Sequence, residues 1–531
     1  MRKANSPSTT FLRRPNAMCA AGVTFRAGKN HASRGIQTMI SAMQLYDFVH
    51  CPHRVCMDAF GDATERDETS PFVELLWEQG LVHENAIAER LPITANMKLI
   101  GLADHERETL RAMARREPLI YGGRLTAGDL VGEPDLLEWT GIGYMPGDIK
   151  SGSGFEGDES EGRLKKHYAF QLAHYVFILE QLGLAAPERS PYIVDRQGRR
   201  VAYPLMEPQG IRNIATWWDS YLEALSEIRA ILALAKKSRP ALSAACGLCH
   251  WQSSCREVLE EAGDLTLIAE FGRAKRDKIS GVIPTIQAFA DSNPDTFAQG
   301  KKTVFPGIRQ DTLLKFHSRA QLLSTPGAAA YLKERVDFPI NQKEVFFDIE
   351  ADPMRGVVYL HGFVEREYAR SDTATFMPHF AAGLEPIHEE AAFRGAWEYL
   401  TARVQDSIIY YYSKYERTEY KKLAAKYLAV CSVDDVEALF ALPVMIDLYF
   451  DIVRKATDWP LYDQSIKTIA KYLGFQWRDA SPSGAASIEW YNCWIETGDQ
   501  AIKQRILDYN EDDCLATAVV VDGIRALPLR T

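Results

Sequence analysis

The chain is 531 residues long, too long for one ordinary hydrophobic core, so about three domains are expected. Its composition, 46% hydrophobic and 25% charged, is that of a globular protein, and no apolar run is long enough to span a bilayer. A net charge of −10 excludes a uniformly basic nucleic-acid binder; it does not exclude local clusters of cations that grip phosphate, and metal-holding carboxylates add to the same negative count.

The first 46 residues hold seven Lys/Arg and no acid. A disordered basic segment is predicted over 1–39, with ordered sequence from about residue 40. It reads as a transit peptide, as a basic arm that touches DNA, or as an over-long start with Met39 or Met43 as the true one; the last is the expectation. No apolar signal-peptide core is present, which predicts a cytoplasmic location. Nine cysteines without a short-range framework argue against a disulfide scaffold.

Residues 40–62 read as a helix carrying Cys51, and 72–116 as helical, with Leu75, Leu76, Leu81, Ile87 and Leu91 at roughly helical spacing. A β region runs from Leu119 to Pro146. Lys165 to Leu182 is predicted to be an amphipathic helix, Tyr192 to Tyr203 a hairpin turning at Asp195-Arg196-Gln197-Gly198, and Ile211 to Ala235 a further helix. Cys246-Gly247-Leu248-Cys249 and Cys255 then close the first unit. Residues 256–340 read as mostly helical, with turns at Gly281 and Gly307. The second turn leads into a helix carrying Lys315 and Arg319, a pattern similar to a helix-hairpin-helix that aims N–H groups at phosphate. An ordinary helix-joining turn is the alternative. From Glu344 the predicted order is strand, strand, helix, strand, then helices to the end.

Two constellations carry chemistry. Phosphodiester hydrolysis needs a metal that polarises the phosphate, an activated water and charge relief on the leaving oxygen, and Mg²⁺ or Mn²⁺ prefers carboxylate oxygens. Asp135 follows Glu133-Pro134 at a strand start. Asp148 and Lys150, two apart on the next strand, share a face, the Asp to hold metal and the Lys to orient or deprotonate water. Gln171 and Tyr175 are four apart on one helix face, and Glu84 offers a further acid. In this order, Glu84, Asp135, Asp148, Lys150, Gln171 and Tyr175 resemble the PD-(D/E)xK nuclease core of the RecB type, over roughly residues 40–258. That resemblance implies a [4Fe–4S] cluster on Cys51, Cys246, Cys249 and Cys255, with zinc as the alternative and Cys56 as the rival to Cys51. Its role would be that of a staple between the two ends of the unit.

In the second constellation Asp348 and Glu350 end an apolar strand, again two apart, and Tyr509 and Asp513 are four apart on a late helix. This resembles the DEDD exonuclease branch of the RNase H-like fold, of the Tyr-type, over about 343–527. Where that family has an Asp in its second motif, this chain has Ser413-Lys414-Tyr415-Glu416; Glu416 is the candidate and Asp447 the runner-up. The whole resembles RecB-like nucleases with an appended RNase H-like, YprB-like exonuclease domain. The expected architecture is α/β: a restriction-endonuclease-like domain at 40–258, a helical linker at 259–342 and an RNase H-like domain at 343–531. The expected activity is metal-dependent hydrolysis of nucleic acid, single-stranded DNA foremost, with a role in DNA repair. The competing expectation is a nucleic-acid-binding scaffold or iron–sulfur sensor with inert centres. No Gly-x4-Gly-Lys-Ser/Thr loop is present, so any unwinding would fall to a helicase in trans.

Overall fold

The computed structural model describes residues 39–157, 162–210, 213–480 and 482–530. The basic segment expected at 1–39 lies outside these, apart from Met39. Among the described residues no helix is long and apolar enough to cross a membrane.

The first unit is built on a six-stranded mixed sheet, at whose centre Leu136–Trp139 and Tyr144–Ile149 run antiparallel. The helix Lys166–Gln181 crosses this sheet. The sequence predicts it to be amphipathic, but it is buried on nearly every side, with Ala169 to Val176 all inside. A second sheet, Ile40–Ser41 with Leu130–Gly132 and Leu125–Ala127, and the helix Trp217–Leu232 wrap it, so no polar face survives.

Two expected helices are interrupted. The 40–62 helix is two helices, Ala42–His50 and Pro52–Phe60, with Cys51 extended between them at φ −158° and ψ 105°. Pro52 explains the break, because its ring drives the preceding residue out of the helical region. The 72–116 helix is Pro71–Ala88 and His105–Ala114, and the short turn Met97–Leu99 lies between them. The predicted hairpin forms as Tyr192–Val194 against Arg200–Ala202. Asp195 accepts from the Gln197 and Arg199 amides at 2.9 and 3.0 Å, and Gly198 supplies the positive φ.

The middle segment has its own apolar core, from Leu259 and Leu265 to Phe316 and Ala320. Its supposed phosphate-binding helix, Gln310–Ser324, does not present its cations. Arg319 is 2% exposed and bonds Asp458, while Lys315 bonds Glu270 at 2.7 Å. Gly307 follows the two-residue strand Lys302–Thr303, not a helix. The helix-hairpin-helix expectation is therefore corrected: internal acids consume its basic face.

The last unit holds a five-stranded sheet. Lys343–Asp352 lies at its centre, antiparallel to Val357–Glu367 on one side and parallel to Ser407–Tyr411 on the other. Phe346 faces a core with the long helix Gln500–Ala526, and Val345, Phe347 and Ile349 face the opposite core. The strand alternation thus aims Asp348 and Glu350 at the long helix.

Candidate active sites

In the first unit, two carboxylates meet at adjacent strand positions. The Ile149 amide donates to Asp135 Oδ2 at 2.8 Å, the Asp135 amide to Asp148 Oδ1 at 3.4 Å, and Lys150 Nζ lies 2.6 Å from Asp148 Oδ2. Glu84 arrives from the Pro71–Ala88 helix. Tyr121 Oη donates to Glu84 Oε1 at 2.8 Å. Lys98, which sequence reasoning missed, stands 3.0 Å from Glu84 and 4.0 Å from Asp135, joining the two acids. Tyr175 and Gln171 are buried below. Tyr175 Oη donates to the Glu133 carbonyl at 3.4 Å, bracing the turn that launches Asp135, and Gln171 Oε1 has no partner among the described residues.

Burial, then the charges of Asp148 and Glu84, push the Asp135 carboxyl well above its usual range. Burial alone would pull Lys150 down, but Asp148 and Asp135 outweigh it and hold the ammonium charged. In this arrangement Lys150 is a donor. It is placed to orient water or to offset charge on a phosphate oxygen.

The second centre is tighter. Among the described residues, Asp348, Glu350 and Asp513 are the one trio of His, Cys, Asp or Glu whose ligand atoms all lie within 4.8 Å of one another. Asn510 Nδ2 donates to Asp348 Oδ2 at 2.7 Å and Trp477 Nε1 to Asp513 Oδ1 at 2.7 Å. Lys467 Nζ donates to Tyr509 Oη at 2.5 Å and lies 4.0 Å from Asp513. Burial and the neighbouring carboxylates hold the Tyr509 hydroxyl protonated. Burial and mutual repulsion push Asp348 well up and Glu350 to about 8. Three clustered carboxyls, Glu350 and Asp513 buried and Asp348 half-buried, with too little positive charge among them fit a divalent cation.

Glu416 opens the helix Tyr415–Lys426, is 3% exposed and has an unpartnered Oε2. Its charge reaches Asp348, but it stands outside the trio. Asp447 is spent as a cap, accepting from the Phe450 and Ser413 amides at 2.9 and 3.2 Å.

Gly362 faces Asp348 across the ladder, and a Cβ there would meet Asn510 Oδ1 at 1.6 Å. Gly362→Ala is expected to displace Asn510 from Asp348. Cleavage at this centre should fall by roughly tenfold or more, as for loss of a supporting partner of a metal ligand, with little change in urea midpoint. An unchanged rate would remove Asn510 from the account.

Cys51, Cys246 and Cys249 lie near one another. Cys246 lies on the turn Ala244–Leu248, Cys249 follows it, and Cys255 is on the first turn of the next helix. Burial raises the Cys249 thiol, opposed by Arg54 and supported by Cys51 and Cys246. Arg273 Nη2 donates to Cys51 Sγ at 3.1 Å. Cys56 instead packs against the core of the first unit. Soft thiol donors are the type that a thiolate-held metal group takes, and in the metal-free protein burial keeps Cys249 a thiol.

Residues 42–256 match a model of the PD-(D/E)XK nuclease superfamily, and residues 345–524 a model of the RNase_H superfamily. No curated protein matches the chain.

Proposed function

From a chain that joins a PD-(D/E)XK nuclease superfamily domain to an RNase_H superfamily domain, we propose a metal-dependent exonuclease acting on single-stranded DNA, with two centres. The observation that carries this reading is the close trio Asp348, Glu350 and Asp513. These three, with Glu416 alongside, would hold Mg²⁺ or Mn²⁺, and Glu84, Asp135 and Asp148 would do so in the first domain. A bound divalent cation supplies polarisation of the phosphate and eases deprotonation of the attacking water. Lys150 donates to a phosphate oxygen or to that water. Tyr509, braced by Lys467, orients the water at the second centre.

The test is digestion of end-labelled single-stranded DNA, duplex DNA and RNA, with Mg²⁺ or Mn²⁺ and with chelator. Wild type, Lys150→Ala and Asp348→Asn are compared. Metal-dependent shortening of the single strand supports the reading, and intact strands in every lane would overturn it. Glu416's position outside the trio favours a second reading, in which the C-terminal domain only grips the strand; Asp348→Asn would then cut as wild type does.

The cation requirement carries a pH signature. The Glu350 carboxyl is pushed up to about 8, chiefly by burial and then by Asp513. Its protonated form favours folding fully below the unfolded value near 4.5, and that contribution is lost as pH rises through about 8. A divalent cation takes over from the protons. The rise in thermal midpoint on adding Mg²⁺ is therefore expected to be larger at about pH 9 than at about pH 6; a shift that shrinks with pH would contradict it.

Cys51, Cys246, Cys249 and Cys255 would hold a [4Fe–4S] cluster, with zinc as the alternative, stapling the two ends of the first domain. Cys249→Ser is expected to lose bound iron and to lower the thermal midpoint. One zinc and no iron in wild type would replace the cluster by zinc.

A further inference from the structure

Beside the first centre lies a group of rings that none of the chemistry above uses. Tyr46 and His50, one turn apart on the Ala42–His50 helix, have ring centroids 4.8 Å apart. His167 packs against both, at 4.8 Å from each, and Tyr168 stands edge-on to His167 at 4.4 Å. His50 is exposed and the other three are half-buried. Tyr168 packs against the core of the first unit, while Tyr46 belongs to none of the apolar cores of the described residues. The ledge runs directly to the reactive end of the site: Lys150 Nζ lies 5.5 Å and Lys165 Nζ 5.2 Å from the centre of the Tyr168 ring. Gly152 lets the loop pass close by, since a Cβ there would come within 3.3 Å of Tyr168 Oη and 3.4 Å of Lys165 Nζ.

Two properties select the occupant. The rings are polar-edged aromatics, which suit the flat face of a heterocycle better than an aliphatic chain. Lys150 and Lys165 stand against Tyr168, at the end nearest the first centre, which suits a ligand that carries its negative charge beside its ring. A nucleotide has this composition, a π-face joined to a phosphate.

We propose that Tyr46, His50, His167 and Tyr168 form a stacking subsite for one nucleobase of a single strand, next to the phosphate presented to Lys150. A base held there cannot be paired, so the ledge selects single-stranded substrate or a frayed end. This rests on the nuclease reading and adds to it the part of the substrate that is recognised.

The experiment is binding of the full-length protein, without added divalent cation, to a labelled single-stranded oligonucleotide and to the same backbone lacking bases. The wild type should prefer the normal strand. His50→Ala with His167→Ala should weaken that binding by about 5- to 150-fold, the range for loss of one stacked base, and leave the abasic strand unaffected. His167→Phe, which keeps a ring, should stay close to wild type. In cleavage, the double variant should raise KM and leave kcat at saturation little changed. Equal wild-type affinity for both strands, or an undiminished preference in the double variant, overturns the subsite while metal-dependent cutting keeps the nuclease reading. Absence of both binding and cutting in wild type overturns the two together.

Discussion

Asp348→Asn, made in a Lys150→Ala background that silences the first centre, is expected to cut single-stranded DNA at roughly a hundredth to a thousandth of the rate of Lys150→Ala alone. Asparagine keeps the shape of the side chain and removes one charge from a close set of three. Asp348 is also the member that Asn510 holds in place at 2.7 Å. The substitution takes away cation affinity and leaves the strand intact. It should also relieve repulsion with Asp513 and Glu350, the neighbours that, after burial, push Asp348 upward. The cation-free protein should therefore melt no lower than its parent while its activity falls, and the thermal shift on adding Mg²⁺ should shrink. Loss of activity with a lowered melting point would point to misfolding; an unchanged rate would remove the C-terminal centre from the chemistry.

Arg319→Ala is expected to cost about 3–5 kcal/mol, the range for leaving one member of a buried ion pair alone. Its guanidinium donates to Asp458 Oδ1 at 2.9 Å, to the Ala269 carbonyl at 2.8 Å and to Glu270 Oε2 at 3.0 Å. Asp458 is itself fully buried, with Tyr331 Oη at 3.4 Å and the partly exposed Lys333 at 3.7 Å as its weaker partners. Truncation takes away its shortest ion pair. The measurement is the urea midpoint at unchanged m-value. Arg319→Met combined with Asp458→Leu should lose less than Arg319→Ala alone, because no charge is left unpaired. If the double variant were the less stable, the ion pair would be stabilising in its own right.

The parts of the site that share one element were legible in the sequence. Asp348 with Glu350, and Tyr509 with Asp513, follow from strand and helix periods that hold whatever packs around them. The helpers were not legible, because each comes from an element distant in the chain. Lys98 sits in a turn hidden within what the apolar spacing reads as one helix, and Trp477 and Lys467 reach Asp513 and Tyr509 from before the long helix. Asn510 could have been found: it is three residues before Asp513 and so shares its helix face. What makes room for it is Gly362 on the facing strand, which no local pattern reveals. Arg319 misled for the same reason, since a basic residue on a helix reads as surface until Asp458, far along the chain, is known to lie beneath it.

The middle segment has a bearing on how this chain can be divided. Arg273 reaches Cys51, and Arg276 reaches the Pro240 carbonyl, so a cut near residue 258 separates the clip from its cations. A cut near 342 separates Arg319 from Asp458. The two domains also meet directly, where the helices Pro71–Ala88 and Gly484–Thr497 pack together with Gln79 bonded to Asn492, and where Arg196 donates to the Pro353 carbonyl. Fragments trimmed to the borders of either domain would thus lose the bonds that the middle segment makes to each, and the whole chain is the form in which to test either activity.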